Sequence, residues 1–414
     1  MAARVNCGNQ STVAPVVPLT PAAAAALFRD RALAHGFARI GFAPVAAFER
    51  HRVFESWLQR GYAADMRYLA DHADERRDPR ALLASGRTLV TVALSYAHDD
   101  PPDVPADRLS RGPRGTIARY ARGDDYHVVL KNKLRELARA VADASGGAVA
   151  YVACVDTAPL LEREAASAGG IGFQAKNTML IAPGAGSFLV LGELITDLEC
   201  APAPLADSVP RCGQCTRCLE ACPTGAFVDA YTLDSRRCIA YLTIENPGPI
   251  PRELRALIGD RVFGCDVCQD VCPFNAGEGQ RGAPELRPRD GYARPSLTRL
   301  LGLGAAQFRK WQQASALRRV HRAQLLRNVA VALGNVGGVD ELPHLMHALG
   351  ERSPLVRAHV AWAIAQIVAR TPPPPTGAGA LVALLDAAVA CETDDEARAE
   401  LAAAALAARA QFSS

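Results

Sequence analysis

Apolar side chains recur at helical spacing from Pro21 to His35, and Gly36 closes the run, which predicts a first helix. Ala38–Val45 reads as a short strand. Helices are expected over Phe48–Arg60 and about Met66–Asp74, joined by a turn at Gly61-Tyr62. Thr88–Tyr96 is apolar and β-branched throughout, the pattern of a strand buried on both faces. The segment Gly123-Asp124-Asp125 leads into a helix over Tyr126–Ala144, with Asp125 placed to cap it. A second buried strand, Ala148–Val155, stops at Asp156, and a helix over Thr157–Ala168 ends at Gly169-Gly170-Ile171-Gly172. Thr178–Ala182 and Phe188–Thr196, linked by Pro183-Gly184-Ala185-Gly186, predict a hairpin. Strands and helices thus intermix over about 180 residues, giving an α/β or α+β domain. Residues 1–17 lack periodicity and are expected to be disordered. The stretch Gly277–Pro295 reads as a linker, and from Leu297 the pattern is helical throughout. Ala332–Val336 and Ala363–Ile367 resemble each other 31 residues apart, a period suited to a short array of HEAT-like repeats.

The cysteines change this picture most. Eight of the twelve lie within residues 212–273: Cys212, Cys215, Cys218 and Cys222-Pro223, then Cys238, Cys265, Cys268 and Cys272-Pro273. This is the bacterial ferredoxin order for two [4Fe–4S] clusters, in which the cysteine before each proline serves the other cluster. Three thiolates on one tight loop hold three irons of a cube, and the fourth iron needs a thiolate from elsewhere. Cys212, Cys215, Cys218 and Cys272 are therefore assigned to one cluster, and Cys222, Cys238, Cys265 and Cys268 to the other. Zinc sites favour paired C-x2-C units, and disulfides need an oxidising compartment. Neither fits a doubled x2-x2-x3-Pro order.

Length and composition bound the rest. A chain of 414 residues, 49% apolar and 21% charged, is globular and long enough for two to four domains. The Ala-rich run Ala22–Ala26 is too short for a signal peptide, and no stretch approaches a membrane span, so a cytoplasmic protein is expected. A net charge of +3 makes no global case for nucleic acid. Its distribution leaves the question open. Residues 287–330 hold ten Lys/Arg against Asp290 alone, and residues 108–122 hold five Arg and no acid. Such stretches bind phosphates or merely face solvent.

A ferredoxin needs only the cluster segment; the roughly 200 residues before it imply a second redox site fed by the clusters. No dinucleotide-binding G-x-G-x-x-G and no Walker A loop is present. Asp125-Tyr126-His127 begins like a cobalamin-ligand motif, but Leu130 replaces its glycine, so His127 is not expected to ligate cobalt. Asp156 stands at the end of a strand and ahead of a helix, where ligands gather in open α/β sheets. From pattern alone, N-capping that helix is the simpler role. Capping would hold its carboxylate ionised, whereas burial beside an apolar cofactor would keep it a neutral acid able to donate a proton.

The succession of short motifs resembles the epoxyqueuosine reductase family. The matching stretches are Trp57–Tyr62, Arg77-Asp78-Pro79, Ile117–Gly123 with Asp125-Tyr126-His127, Val155-Asp156-Thr157, Gly170–Phe173 with Lys176-Asn177, Gly192-Glu193, Cys212–Ala226, Arg237–Thr243 and Gly264-Cys265-Asp266. They span about residues 20–370 in order. The first 17 and the last 40 or so residues lie outside the resemblance; taken with the pattern above, it implies an α+β protein with four parts: a disordered 1–17, an α/β cobalamin-binding domain over 18–200, a ferredoxin-like two-cluster domain over 201–280, and a linker with an all-α HEAT-like domain over 281–414. It implies base-off cobalamin and two [4Fe–4S] clusters as cofactors. The implied reaction removes the epoxide oxygen of epoxyqueuosine in a tRNA anticodon loop. Asp156 matches the family's proton donor. Arg77, Leu180, Leu191, Ala240 and Asp266 fall where the corrinoid would border the protein, and Arg163 where the substrate would. The partners implied are tRNA, gripped by the helical domain and basic stretches, and an electron donor such as flavodoxin or ferredoxin. The protein would act as a monomer. Rival readings are a corrinoid reductase of a small organohalide, an electron-transfer module and a non-catalytic tRNA-binding protein.

Overall fold

The computed structural model describes residues 19–99, 112–146, 149–202, 211–276, 281–370 and 375–412. The expected disorder of 1–17, Cys7, Arg108 and Arg111 lie outside them. Its N-terminal part is built on a four-stranded sheet in the order Arg39–Pro44, Thr88–Ser95, Leu189–Thr196, Tyr151–Cys154, antiparallel at every step. The part is therefore α+β, and among the described residues its sheet has no parallel switch point of the kind that drew attention to Asp156.

Alternation along these strands sorts side chains to two faces. Phe42, Val90, Val92, Leu94 and Leu194 meet Ala24 and Phe28 of the helix Pro21–Ala34 and Leu130, Leu134 and Leu137 of the helix Tyr126–Ser145. Thr20 caps the first helix, its hydroxyl accepting from Ala23 N at 3.2 Å, and Asp125 caps the second. The opposite face packs on the short helix Glu162–Ala168. Leu89, Cys154 and Ile195 pack there with Ala165, and Ala93 and Leu189 with Ala166. Gly41 and Gly169 touch backbone to backbone at that junction, and a Cβ on Gly41 would overlap the Gly169 carbonyl.

The cluster segment and the C-terminal helices share one continuous core, running from Ile239 through Phe263 to Ala408. The helices Arg322–Val336, Pro354–Arg370 and Asp395–Phe412 pack in succession, each on the next. Arg327, fully buried, plugs the first of them into the cluster segment. Its guanidinium donates to the carbonyls of Leu242 (2.8 Å), Asn246 (2.9 Å) and Gly248, while Asn328 donates to those of Thr243 and Val262. These carbonyls flank a π-helical turn at Tyr241–Glu245, three residues after Cys238.

Several expectations are corrected. Residues 180–181 do not pair with 189–196. That strand already has neighbours on both edges, so Leu180-Ile181 pairs instead with Phe173-Gln174, and Pro183–Ala185 closes a loop between Ala182 and Gly186. The helix after Asp156 begins only at Glu162, leaving 155–161 as an irregular loop. The described part of the expected linker is firmly packed: Ala283 N donates to Ser95 O at 2.7 Å, and Leu286 is buried in the N-terminal core. Conversely, Thr116-Ile117 crosses over to pair with Arg261–Phe263. The cores thus cross the sequence divisions at 200 and 280.

Candidate active site

The loop after the strand Tyr151–Cys154 turns back at Asp156, whose φ of +52° lies in the left-handed region that non-glycine residues rarely adopt. Asp156 caps no helix. Its backbone N–H donates to Glu162 Oε1 at 2.5 Å, while its carboxylate Oδ2 accepts from His127 Nε2 at 2.9 Å and from the Tyr126 hydroxyl at 3.1 Å. Both donors come from the first turn of the helix Tyr126–Ser145. The same Asp125 that caps this turn accepts from His127 Nδ1 at 2.8 Å. His127 therefore stands between two carboxylates, with both ring nitrogens acting as donors.

The protonation states follow. Burial works against a charge on His127, but its hydrogen bonds to Asp125 and Asp156 outweigh that and push its pKa up to about 9. Burial likewise works against charge on Asp156. The hydrogen bond and charge of His127, with Tyr126 and Arg319, more than compensate, and its pKa falls below the usual carboxylate value. Asp156 is thus an ionised carboxylate holding an imidazolium, in a polar environment rather than the apolar one that a neutral acid requires. Burial, then the negative charge of Asp156, pushes Glu162 up to about 7. Behind them on the sheet, Glu193 is fully buried, and burial drives its pKa well up.

Asp156 opens into a cavity of about 1060 Å³. Its side chain is 45% accessible because the cavity faces it. One wall is the helix His51–Gln59 with Phe54 and Trp57; the others are Leu160–Glu164, Gln174, Ala175, Thr178 and Met179, the strand residues Leu189–Leu191, and Tyr231–Leu233 with Ser235 of the cluster segment. Trp57 Nε1 donates to Leu233 O at 2.6 Å, and Ser235 N to Tyr62 O, which joins the two sides. Aromatic rings and arginines share the lining. Arg76 is notable: it is 6% exposed, lines the cavity, and its Nε has no hydrogen-bond partner.

The cysteines lie directly behind this cavity. The charges of Cys212, Cys272 and Cys215 act on Cys218, and those of Cys238, Cys265, Cys218 and Cys222 act on Cys268, so the two groups of cysteines adjoin. Burial is the main cause that raises the thiol pKa values of Cys218, Cys238, Cys265, Cys268 and Cys272, and that of Cys265 reaches about 11. Thiolates there need a cationic core to hold them. Among the described residues no three metal-binding side chains close on a point the size of one ion. The cavity wall clamps these loops: Lys176 Nζ donates to Gly213 O and Cys215 O at 2.7 and 3.0 Å, and Asn177 Nδ2 to Cys268 O at 3.1 Å.

Of the residues singled out in the sequence, Asp156, Arg163 and Leu191 line the cavity. Arg163 donates to Thr178 O across it. Arg77 points away and lies near Asp74 and Glu55, at 3.5 and 3.7 Å; its neighbour Arg76 takes the lining position. Leu180 is buried beside the wall, and Ala240 sits on the π-turn against the core. Asp266 accepts from Arg119 N at 2.7 Å and lines a separate cleft of about 340 Å³ beside Cys265. Tyr126, His127, Glu162, Glu193 and Arg76 went unassigned in the sequence. The Asp125-Tyr126-His127 motif was the available signal.

The basic stretches are largely used internally. Arg289, Arg294, Arg319 and Arg322 pair with Asp124, Asp260, Glu245 and Glu351, and Arg327 is buried; Arg287, Arg299, Arg309, Lys310 and Arg318 are exposed. Arg114, Arg119 and Arg122 donate to backbone carbonyls. Among the described residues no helix is long and apolar enough to cross a membrane.

A family model described as epoxyqueuosine reductase QueG, DUF1730 matches residues 76–157, and one described as a 4Fe-4S double cluster binding domain matches residues 211–275. The epoxyqueuosine reductase of Xanthomonas campestris is 40% identical over 348 residues, covering 84% of this chain and 97% of that protein. That of Escherichia coli is 36% identical over 337 residues, covering 81% and 87%. The crystal structure of an epoxyqueuosine reductase with an epoxyqueuosine-modified tRNA stem loop superposes with a TM-score of 0.81 at 30% identity, over 92% of this chain and 98% of that one.

Proposed function

The chain belongs to the epoxyqueuosine reductase family and reduces epoxyqueuosine to queuosine; from that premise we propose that the cavity at Asp156 is where the epoxide loses its oxygen. The observation that carries this reading is the Asp156–His127 pair, a carboxylate holding an imidazolium proton at the cavity face. The relative solved with a modified tRNA stem loop supports tRNA as the substrate. In this reading Arg163 and the arginines at the mouth (Arg50, Arg52 and Arg60) meet its phosphates and base, and Phe54 and Trp57 offer stacking surfaces.

Cys212, Cys215, Cys218 and Cys272 hold one [4Fe–4S] cluster, and Cys222, Cys238, Cys265 and Cys268 the other. The first loop, with Gly213, Gln214, Thr216 and Arg217 exposed, is where a flavodoxin or ferredoxin would deliver electrons. The residues fit a base-off cobalamin. The cavity is larger than a drug-sized pocket, its walls at Leu189–Leu191 are apolar, and the orphaned Nε of Arg76 awaits an acceptor such as a carboxamide or phosphate. His127 is committed at both nitrogens, to Asp125 and Asp156, and would not be free to ligate cobalt. Bound there, the clusters and cobalamin would supply the two electrons and a low-valent metal as reductant. Leu180, Ala240 and Asp266 would support the corrinoid from behind the wall.

The chain's own residues handle the proton. His127 keeps it at Nε2, shared with Asp156 Oδ2, while the substrate is neutral. As the carbon–oxygen bond breaks and negative charge builds on the oxygen, that oxygen becomes the stronger base and takes the proton through Asp156. Tyr126 holds the carboxylate in line. Asp156→Asn keeps the shape but can neither hold the imidazolium nor pass its proton. It is expected to bind modified tRNA as the wild type does and to lose about 100-fold or more in turnover, the usual range for a lost proton donor. Wild-type turnover in this variant would remove Asp156 from the mechanism.

A further inference from the structure

Removing an epoxide oxygen as water takes two electrons and two protons. The Asp156–His127 pair holds one proton. Resting on the reading above, we propose that Glu162 delivers the second proton, with Glu193 kept as a neutral acid behind it.

The geometry assembles the pair for this. Glu162 lines the cavity beside Asp156 and is fixed by the Asp156 N–H on Oε1, so one oxygen orients the carboxyl and the other is available to carry a proton. Glu193 pairs in register with Cys154, two residues before Asp156, and with Thr91, on the face that the helix Glu162–Ala168 covers. It is fully buried, and neither of its oxygens nor the Thr91 hydroxyl has a hydrogen-bond partner. An unpartnered carboxyl in that position persists only as the neutral acid. Charged or titratable groups face the pair from every side: Asp156, His127, Tyr126, Arg76 and Arg163 act with Glu162, and Cys154 with Glu193. Burial, then the charge of Asp156, disfavours ionisation of Glu162; burial, then Glu162, does the same for Glu193.

The step balances. When the first proton has reached the oxygen, the alcohol must leave as water rather than hydroxide. The O–H bond of Glu162 breaks as the new O–H bond of water forms. Glu162 then regains its proton from solvent through the open cavity that it lines.

Three variants separate proton delivery from positioning. Glu162→Gln keeps an acceptor for the Asp156 N–H but carries no acidic proton, Glu162→Ala loses both, and Glu193→Gln replaces a neutral acid by a neutral amide. Single-turnover conversion of epoxyqueuosine tRNA by reduced, cobalamin-loaded enzyme is measured over roughly pH 6 to 9. The wild-type rate is expected to fall as Glu162 ionises near neutral pH. Glu162→Gln is expected to lose that limb of the profile and about 100-fold in rate below it, with tRNA affinity unchanged. A Gln variant as fast as wild type beside a slow Ala variant would reduce Glu162 to a positioning residue and overturn the proposal. Infrared spectra of the protein without substrate give the independent readout. A protonated-carboxyl band that titrates near neutral pH and vanishes in Glu162→Gln is expected, as is one that persists to high pH and vanishes in Glu193→Gln. Absence of both bands from the wild type overturns the proposal without touching the reaction. Wild-type enzyme that converts no tRNA would overturn the functional reading instead.

Discussion

Asp156 has its charge set by a partner 29 positions away, since His127 Nε2 reaches it at 2.9 Å. That explains what was legible at this scale. A double-cluster segment was legible from the cysteine spacing, because each cube demands ligands at local spacing. The state of Asp156 was not, because neither N-capping nor apolar burial is what surrounds it; a histidine from another element does. His127 has its pKa raised in the folded protein. Its contribution to stability is therefore fully present below its unfolded value of about 6.5 and is lost as the pH rises through about 9. His127→Gln is expected to flatten the fall in melting temperature over that window and to remove the upper limb of the pH–rate profile. A variant with the wild-type alkaline limb would exclude His127 as the proton holder. Cys268→Ala is expected to lose about half the bound iron; unchanged iron would refute its assignment as a ligand.

Elements were legible where their signal was local. The helices Pro21–Ala34 and Tyr126–Ser145 and the strand Thr88–Ser95 stand close to where periodicity and caps placed them. The hairpin at 178–196 failed because pairing is decided by which edges remain free, and both edges of Leu189–Thr196 were taken by strands remote in sequence. The apparent linker failed for a related reason: Leu286 is one apolar residue in a polar run, yet it has a place in a distant core. Arg327 illustrates the reverse, a cation in an apolar helical pattern that satisfies three carbonyls around the π-turn after Cys238. Arg327→Ala leaves those carbonyls buried and unbonded, and a loss of about 3–5 kcal/mol is expected, as for breaking a buried charged network. The denaturant midpoint reports it; an unchanged midpoint would mean that the plug contributes nothing.

At the scale of the whole molecule, two bodies of structure close around one cavity, with the cysteine loops behind its wall and arginines at its mouth. Net charge gave no hint of this, because half the basic residues of 287–330 are engaged inside the protein. If the exposed remainder and the mouth arginines hold tRNA phosphates, affinity falls steeply with salt, with a log–log slope near the number of contacts made. A flat response would remove them from the interface. The central claim is that this cavity removes the epoxide oxygen with cobalamin and cluster electrons. It is tested most directly by incubating epoxyqueuosine-containing tRNA anaerobically with the iron-loaded protein and a strong reductant, with and without cobalamin, and weighing the released nucleosides by mass spectrometry. Loss of one oxygen, giving queuosine only when cobalamin is present, is the predicted result. Epoxyqueuosine recovered intact from protein with full iron and bound corrinoid would contradict it.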